Sequence, residues 1–75
     1  MEKQIVIIEA IKRAIGKENV SSDSVLIDDL GVDSMGFIRI VVEVEKSLET
    51  QFGDDDIVLN LYPTVQDLIN YFENR

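Results

Sequence analysis

The chain offers few residues that could do chemistry, and the hydroxyl of Ser34 is the most informative of them. It lies in residues 30–35, Leu-Gly-Val-Asp-Ser-Met, where an acidic loop gives way to an apolar helical run. The chain has no cysteine and no histidine, which excludes disulfides, thiolate metal sites and the commonest general base. A serine at a helix start, with nothing nearby to activate it, indicates a place where a group is attached.

Three interpretations of Ser34 compete. Serine is common at helix starts as a cap, so a purely structural role is the simplest. A hydrolase nucleophile is excluded, because the Gly-x-Ser-x-Gly elbow is missing and no histidine exists to accept the proton. The third is esterification to a phosphate-linked arm: the free N–H groups and dipole of a helix N-terminus favour a phosphate, and Gly31 permits a tight turn.

The elements that must position Ser34 are helices. Isoleucines 5, 8, 11 and 15, spaced by three and four, predict an amphipathic helix over about residues 2–15, with Gly16 as its stop. Residues 17–33 lack periodicity and predict a long loop tucked against the core by Val25, Leu26, Ile27 and Leu30.

Capping residues predict three further helices. Asp33 caps a second helix over residues 34–50, and Asp54 or Asp55 caps a short third one over residues 57–59. Thr64 caps the last, with Asp67 three residues on. The fold class is therefore all-α: a small four-helix bundle of three main helices and one short helix, with a long loop between helices 1 and 2. We expect residues 1–75 to form a single domain.

The second helix carries two apolar faces. At about 100° per residue, one face gathers five apolar residues and predicts the side that enters the core: Phe37, Ile40, Val41, Val44 and Leu48. A second stripe, Met35, Ile38 and Val42 continued by Glu45, starts beside Ser34. An exposed apolar stripe indicates docking, although it could instead pack under the loop or the short helix.

Charge narrows the class of partner. The chain carries a net charge of −8: residues 1–17 carry +2 and residues 18–75 carry −10. This balance argues against nucleic acid and anionic membrane and favours basic protein surfaces. No signal peptide or long apolar span is evident, so we expect a cytoplasmic protein. The three consecutive aspartates at residues 54–56 lack the ligand spacing of a calcium loop, and we expect no metal site.

The residues around Ser34 are similar to a motif of a known protein family. The run Asp29-Leu30-Gly31-Val32-Asp33-Ser34-Met35 resembles the phosphopantetheine attachment motif of acyl carrier proteins, usually Gly-x-Asp-Ser-Leu or Gly-x-Asp-Ser-Met. Length, acidity, the long first loop and the Thr64-Val65 helix start are similar over essentially the whole chain. The resemblance implies a stand-alone carrier that is not an enzyme, with 4′-phosphopantetheine covalently attached to Ser34 from coenzyme A and acyl groups held on its thiol as thioesters.

The resemblance also assigns roles to neighbouring residues. Gly31, Asp33 and Met35 belong to the attachment motif, and the stripe of Met35, Ile38, Val42 and Glu45 meets partner enzymes. The implied partners are a phosphopantetheinyl transferase and enzymes with basic docking surfaces that activate acyl groups, transfer them or use them in synthesis. The resemblance also implies that the carrier is a monomer. The family's acyl cavity lies between the helices, and apolar periodicity suggests as its lining Phe37, Ile40, Val44 and Leu61.

One departure from the family leaves the pathway open. Arg39 and Lys46 stand where fatty-acid carriers usually place acids. A carrier for a polyketide, nonribosomal peptide or other specialised pathway is therefore as consistent with the sequence as one for fatty acid synthesis. The competing class is an acidic helical interaction module in which Ser34 stays unmodified.

Overall fold

The computed structural model describes residues 3–53 and 59–74. Three α-helices run in the order α1 (Lys3–Ile15), α2 (Ser34–Leu48) and α3 (Val65–Glu73), with a 3-10 turn at Leu59–Leu61 before α3. No strand occurs in the described ranges, which hold one isolated antiparallel bridge between Val25 and Thr64. The all-α class is confirmed. The predicted short helix over residues 57–59 and its caps at Asp54 or Asp55 lie largely outside the described residues.

The core lies where α1 and α2 pack against each other and against α3. The core face of α2 is confirmed, since Phe37, Ile40, Val41 and Val44 are buried and Leu48 packs beside them. The predicted helix α1 is confirmed, but the prediction of its buried face is partly wrong. Ile5 is exposed, and the buried side is formed by Ile7, Ala10 and Ile11.

Helix α1 ends as its sequence predicts, whereas α2 does not. Gly16 adopts φ +68° and donates its N–H to the carbonyl of Lys12 at 2.9 Å. Helix α2 ends two residues earlier than predicted, because Glu49 takes the left-handed conformation (φ 51°, ψ 47°). The N–H groups of Glu49 and Thr50 then both reach the carbonyl of Glu45, which closes the helix.

The long loop from residue 16 to residue 33 is held against the start of α3. Leu26 N–H donates to the carbonyl of Pro63 at 3.0 Å, and Val65 N–H donates to the carbonyl of Ser24 at 3.0 Å. Leu26 and Leu30 are buried as predicted, but Ile27 is exposed. Residues 25–31 form a helix-like turn, in which side chains four positions apart lie on the same side and successive side chains point in different directions. Leu26 and Leu30 therefore point into the core, while Ile27 points outward.

Aromatic rings fill the space beside the core face of α2. The ring of Phe37 stacks on Tyr62 with centroids 5.7 Å apart, and that of Phe52 stacks on Tyr71 at 4.4 Å. The expectation that Leu61 lines this interior is wrong, because Leu61 is exposed and the next residue, Tyr62, points inward. A 3-10 turn advances about 120° per residue, so neighbouring side chains cannot share a face.

Candidate functional site: the start of α2

The loop before α2 is built to present the first residue of the helix. Gly31 adopts φ +65°, a conformation that suits glycine, and donates its N–H to the carbonyl of Ile27 at 3.1 Å. Val32 follows with a buried side chain and an N–H bond of 2.9 Å to the carbonyl of Leu26. The carboxylate of Asp29 accepts the N–H of Val25 at 2.8 Å, which braces the same turn. The position of Ser34 is therefore fixed from the loop side.

Asp33 is the N-cap of α2. Its carboxylate accepts the N–H of Gly36 at 2.7 Å, and its carbonyl accepts the N–H of Phe37 at 2.8 Å. A methyl group added at Gly36 would lie 3.2 Å from the Asp33 carboxylate oxygen, so glycine gives this cap its room. Sequence reasoning missed Gly36, whose only signal was its place three residues after the cap.

Ser34 itself is exposed, and its hydroxyl makes no hydrogen bond within the described ranges. The N–H groups of Gly36 and Phe37 both bond to Asp33, whereas those of Ser34 and Met35, which begin the helix, have no partner among the described residues. An accessible hydroxyl beside free N–H groups at the positive end of a 15-residue helix suits a phosphodiester. The residues present thus fit a phosphate-linked arm.

The second stripe of α2 lies in solvent beside Ser34. Met35 is 64% exposed, Ile38 48% and Val42 40%, although core residues lie on the opposite side of the same helix. The stripe therefore does not pack under the loop. Three large apolar side chains in a row on one helix form the kind of surface that proteins use for association.

Glu45, which the sequence places at the end of this stripe, has a contact that the sequence did not indicate. It is half-buried, and its carboxylate accepts the N–H of Phe52 at 2.6 Å. The structure thus brings Met35, Ile38 and Val42 together as an exposed strip and ties Glu45 to the segment after α2. Its role toward partners stays a prediction.

No cluster of acidic side chains suited to a metal ion occurs within residues 3–53 and 59–74. The aspartates at residues 54–56 lie outside those ranges. None of the described helices is long and apolar enough to cross a bilayer.

Comparison with known proteins places the chain in a family. Residues 6–72 match the family model described as the phosphopantetheine attachment site. The chain is 37% identical over 72 residues to an acyl carrier protein of Chloroherpeton thalassium, covering 96% of this chain and 88% of that one. It is 31% identical to an acyl carrier protein of Clostridium perfringens, covering 83% and 79% of the two chains. It is 30% identical to one of Syntrophobacter fumaroxidans, covering 95% and 85%. The family model matches nearly the whole chain, and the relatives are similar to it over most of their own length. The chain therefore belongs to the acyl carrier protein family, whose cofactor is phosphopantetheine.

Proposed function

We propose that Ser34 carries 4′-phosphopantetheine and that the protein delivers acyl intermediates to partner enzymes of fatty acid, polyketide or related biosynthesis. The observation that carries the proposal is the exposed Ser34 hydroxyl at the first position of α2, inside the motif of residues 31–35, with no hydrogen bond to any described residue. When bound, the group supplies a thiol on which acyl groups are held as thioesters. The chain is then a carrier without catalysis of its own, monomeric and cytoplasmic, with residues 1–75 as one domain.

The residues around Ser34 have distinct tasks in this proposal. Gly31 makes the turn that exposes the hydroxyl, and Asp33 fixes the first turn of the helix through its bond to Gly36. The free N–H groups of Ser34 and Met35 stabilise the phosphate. No side chain in this set needs to accept or donate a proton, because the transferase that attaches the arm supplies that chemistry.

The exposed strip is the proposed docking surface for partners. Met35, Ile38 and Val42 offer apolar contact next to the attachment point. Glu45, which is half-buried and accepts the N–H of Phe52, is the proposed acidic contact at the far end. The acidic balance of residues 18–75 favours basic surfaces on a phosphopantetheinyl transferase and on acyl-transferring or acyl-activating enzymes. Nucleic acid and membrane are not proposed as partners.

A specialised pathway is the second candidate. Arg39 and Lys46 are exposed on α2, at positions where fatty-acid carriers usually place acids. Their charges would weaken attraction to enzymes selected for an acidic α2. A peptidyl or aminoacyl carrier of a nonribosomal peptide-type pathway is therefore kept beside the acyl carrier of fatty acid or polyketide synthesis.

Attachment is tested by weighing the intact protein. The purified chain is incubated with coenzyme A and a broad-specificity phosphopantetheinyl transferase, and we expect the mass to rise by one phosphopantetheine group. Ser34→Ala should show no increase. Ser47→Ala is the matched control, because Ser47 lies near the other end of α2 and its hydroxyl accepts from Arg13 at 2.7 Å; it should be modified like the wild type. Modification that persists in Ser34→Ala would refute the site. An unmodified wild type would favour the unmodified interaction module.

A further inference from the structure

A cationic groove lies between α1 and α2, on the side of the exposed strip that faces α1. Two adjoining depressions form it, of about 370 and 250 Å³, and they share Ala14 and Arg39 in their walls. The larger one runs from Lys17 to Gly31 and Met35, next to the attachment point. The smaller one continues along Ile38 and Val42. The groove therefore begins beside Ser34 with a mixed lining and continues into a part whose walls are mainly apolar.

The walls of this groove carry one more cation than acids. The cations are Arg13, Lys17 and Arg39 and the acids are Asp33 and Glu43, of which Glu43 lies 3.5 Å from the guanidinium of Arg13. Lys17 and Arg39 are exposed and make no ion pair with any described residue. This sign is opposite to that of residues 18–75 as a whole, which carry −10.

We propose that this groove docks a partner surface that carries carboxylates next to an apolar side chain. The apolar side chain packs on Ile38 and Val42, and the carboxylates pair with Arg39 and Lys17. Arg39 suits this role because its planar guanidinium can bind a carboxylate through two parallel hydrogen bonds. The inference rests on the proposed carrier function, since it names one class of surface among the enzymes that would approach Ser34.

In this proposal, both basic and acidic residues of a partner contribute to its recognition. Basic partner residues are attracted by the acidic remainder of the chain, whereas an enzyme that is basic throughout its contact surface would be repelled at Lys17 and Arg39. Discrimination through such a repulsive element is a general way to reject the wrong partner. The chain would then separate its own enzymes from those that recognise a uniformly acidic helix.

The test uses two synthetic amphipathic helical peptides with the same leucine spacing, one flanked by glutamates and one by lysines. Each is titrated into the ¹⁵N-labelled, unloaded protein, and amide shifts are followed by NMR. We expect the glutamate peptide to shift the amides of Lys17, Met35, Ile38, Arg39 and Val42. Arg39→Glu should weaken its binding by about fivefold, the scale of one exposed ion pair. Lys46→Glu is the matched control, because Lys46 is an exposed cation of α2 outside the groove. It should leave this binding unchanged.

Other results would overturn the proposal. These are stronger shifts of the groove amides by the lysine peptide, an absence of groove shifts with either peptide, or an equal loss in Lys46→Glu. Groove shifts caused by raising the protein concentration alone would assign the surface to a second copy, and shifts caused only by loading Ser34 would assign it to the arm. Because binding is measured on the unloaded protein and loading by intact mass, failure of the groove and failure of the attachment site are distinguishable. Circular dichroism of Arg39→Glu confirms that the variant is folded.

Discussion

Two hydroxyls stand at the starts of two helices in this protein, and they have opposite surroundings. Thr64 caps α3: its Oγ1 accepts the N–H of Asp67 at 3.3 Å and donates to the Asp67 carboxylate at 2.8 Å, while Thr64 N–H donates to the same carboxylate. Ser34 begins α2 with a hydroxyl that makes no bond to any described residue, because Asp33 has taken over the cap.

The difference extends to the residues that follow each start. Three apolar side chains of α3 are fully buried in the core: Val65, Leu68 and Ile69. Helix α2 sends one apolar face to the core and leaves Met35, Ile38 and Val42 in solvent. The start of α3 is thus arranged for stability, whereas the start of α2 keeps a hydroxyl and an apolar strip available. This contrast can be tested with matched substitutions.

The largest effect is expected from matched isoleucines. Ile69→Ala should lower the free energy of unfolding by about 2–5 kcal/mol, because it empties a fully buried site. Ile38→Ala removes the same atoms from a side chain that is half exposed, and should cost under about 1 kcal/mol. Urea unfolding measures both. Equal losses would mean that the strip belongs to the core, and the docking surface would then have to lie elsewhere.

Next in size is the loss of the cap of α3. Thr64→Ala removes the hydroxyl that joins Thr64 and Asp67 and should cost about 1 kcal/mol of stability. Loading of Ser34 by the transferase should proceed at the wild-type rate, because Thr64 caps a different helix. Unfolding and the rate of mass increase are measured on the same sample. A clear drop in loading would mean that loading depends on the stability of the whole fold and not on the start of α2 alone.

A loss of similar size is expected from the cap of α2, but with a functional consequence. Asp33→Ala frees Gly36 N–H and should also cost about 1 kcal/mol. Unlike Thr64→Ala, it should slow loading, since the first turn that carries Ser34 is no longer fixed. Asp33→Asn retains an oxygen acceptor and should restore much of the stability. If Asp33→Ala and Thr64→Ala slow loading equally, general destabilisation is the cause and the positioning role of Asp33 is wrong.

These expectations show which features the local sequence could predict. The caps at Asp33 and Thr64, the stop at Gly16 and the core face of α2 follow from short-range patterns, and the structure confirms all of them. Such signals involve residues within about four positions of each other, where helix geometry determines the neighbours.

Features set by contacts across the chain could not be predicted. The end of α2 depends on a left-handed Glu49, a position where glycine is the usual signal. The hydrogen bond from Phe52 N–H to Glu45 joins a residue beyond the end of α2 to one inside it, seven positions earlier. Tyr62 points into the core in place of Leu61 because of the aromatic rings that surround it. The proposed attachment at Ser34 follows from the motif, whereas the groove at Lys17 and Arg39 needed the packing of α1 on α2.

The smallest effect is expected from the Ser34 hydroxyl itself, and it sharpens the contrast most. Ser34→Ala removes an exposed group that bonds to no described residue and places a strong helix former in the first turn of α2. The free energy of unfolding should therefore stay within about 0.5 kcal/mol of the wild type, against the loss of about 1 kcal/mol for Thr64→Ala. Urea unfolding of the two variants side by side provides the measurement. A loss in Ser34→Ala as large as that in Thr64→Ala would mean that this hydroxyl supports the fold, and its failure to load could then be attributed to structure. A near-zero change makes the loss of loading a chemical one, because the folded helix start is intact and only the oxygen that would bond to phosphorus is missing.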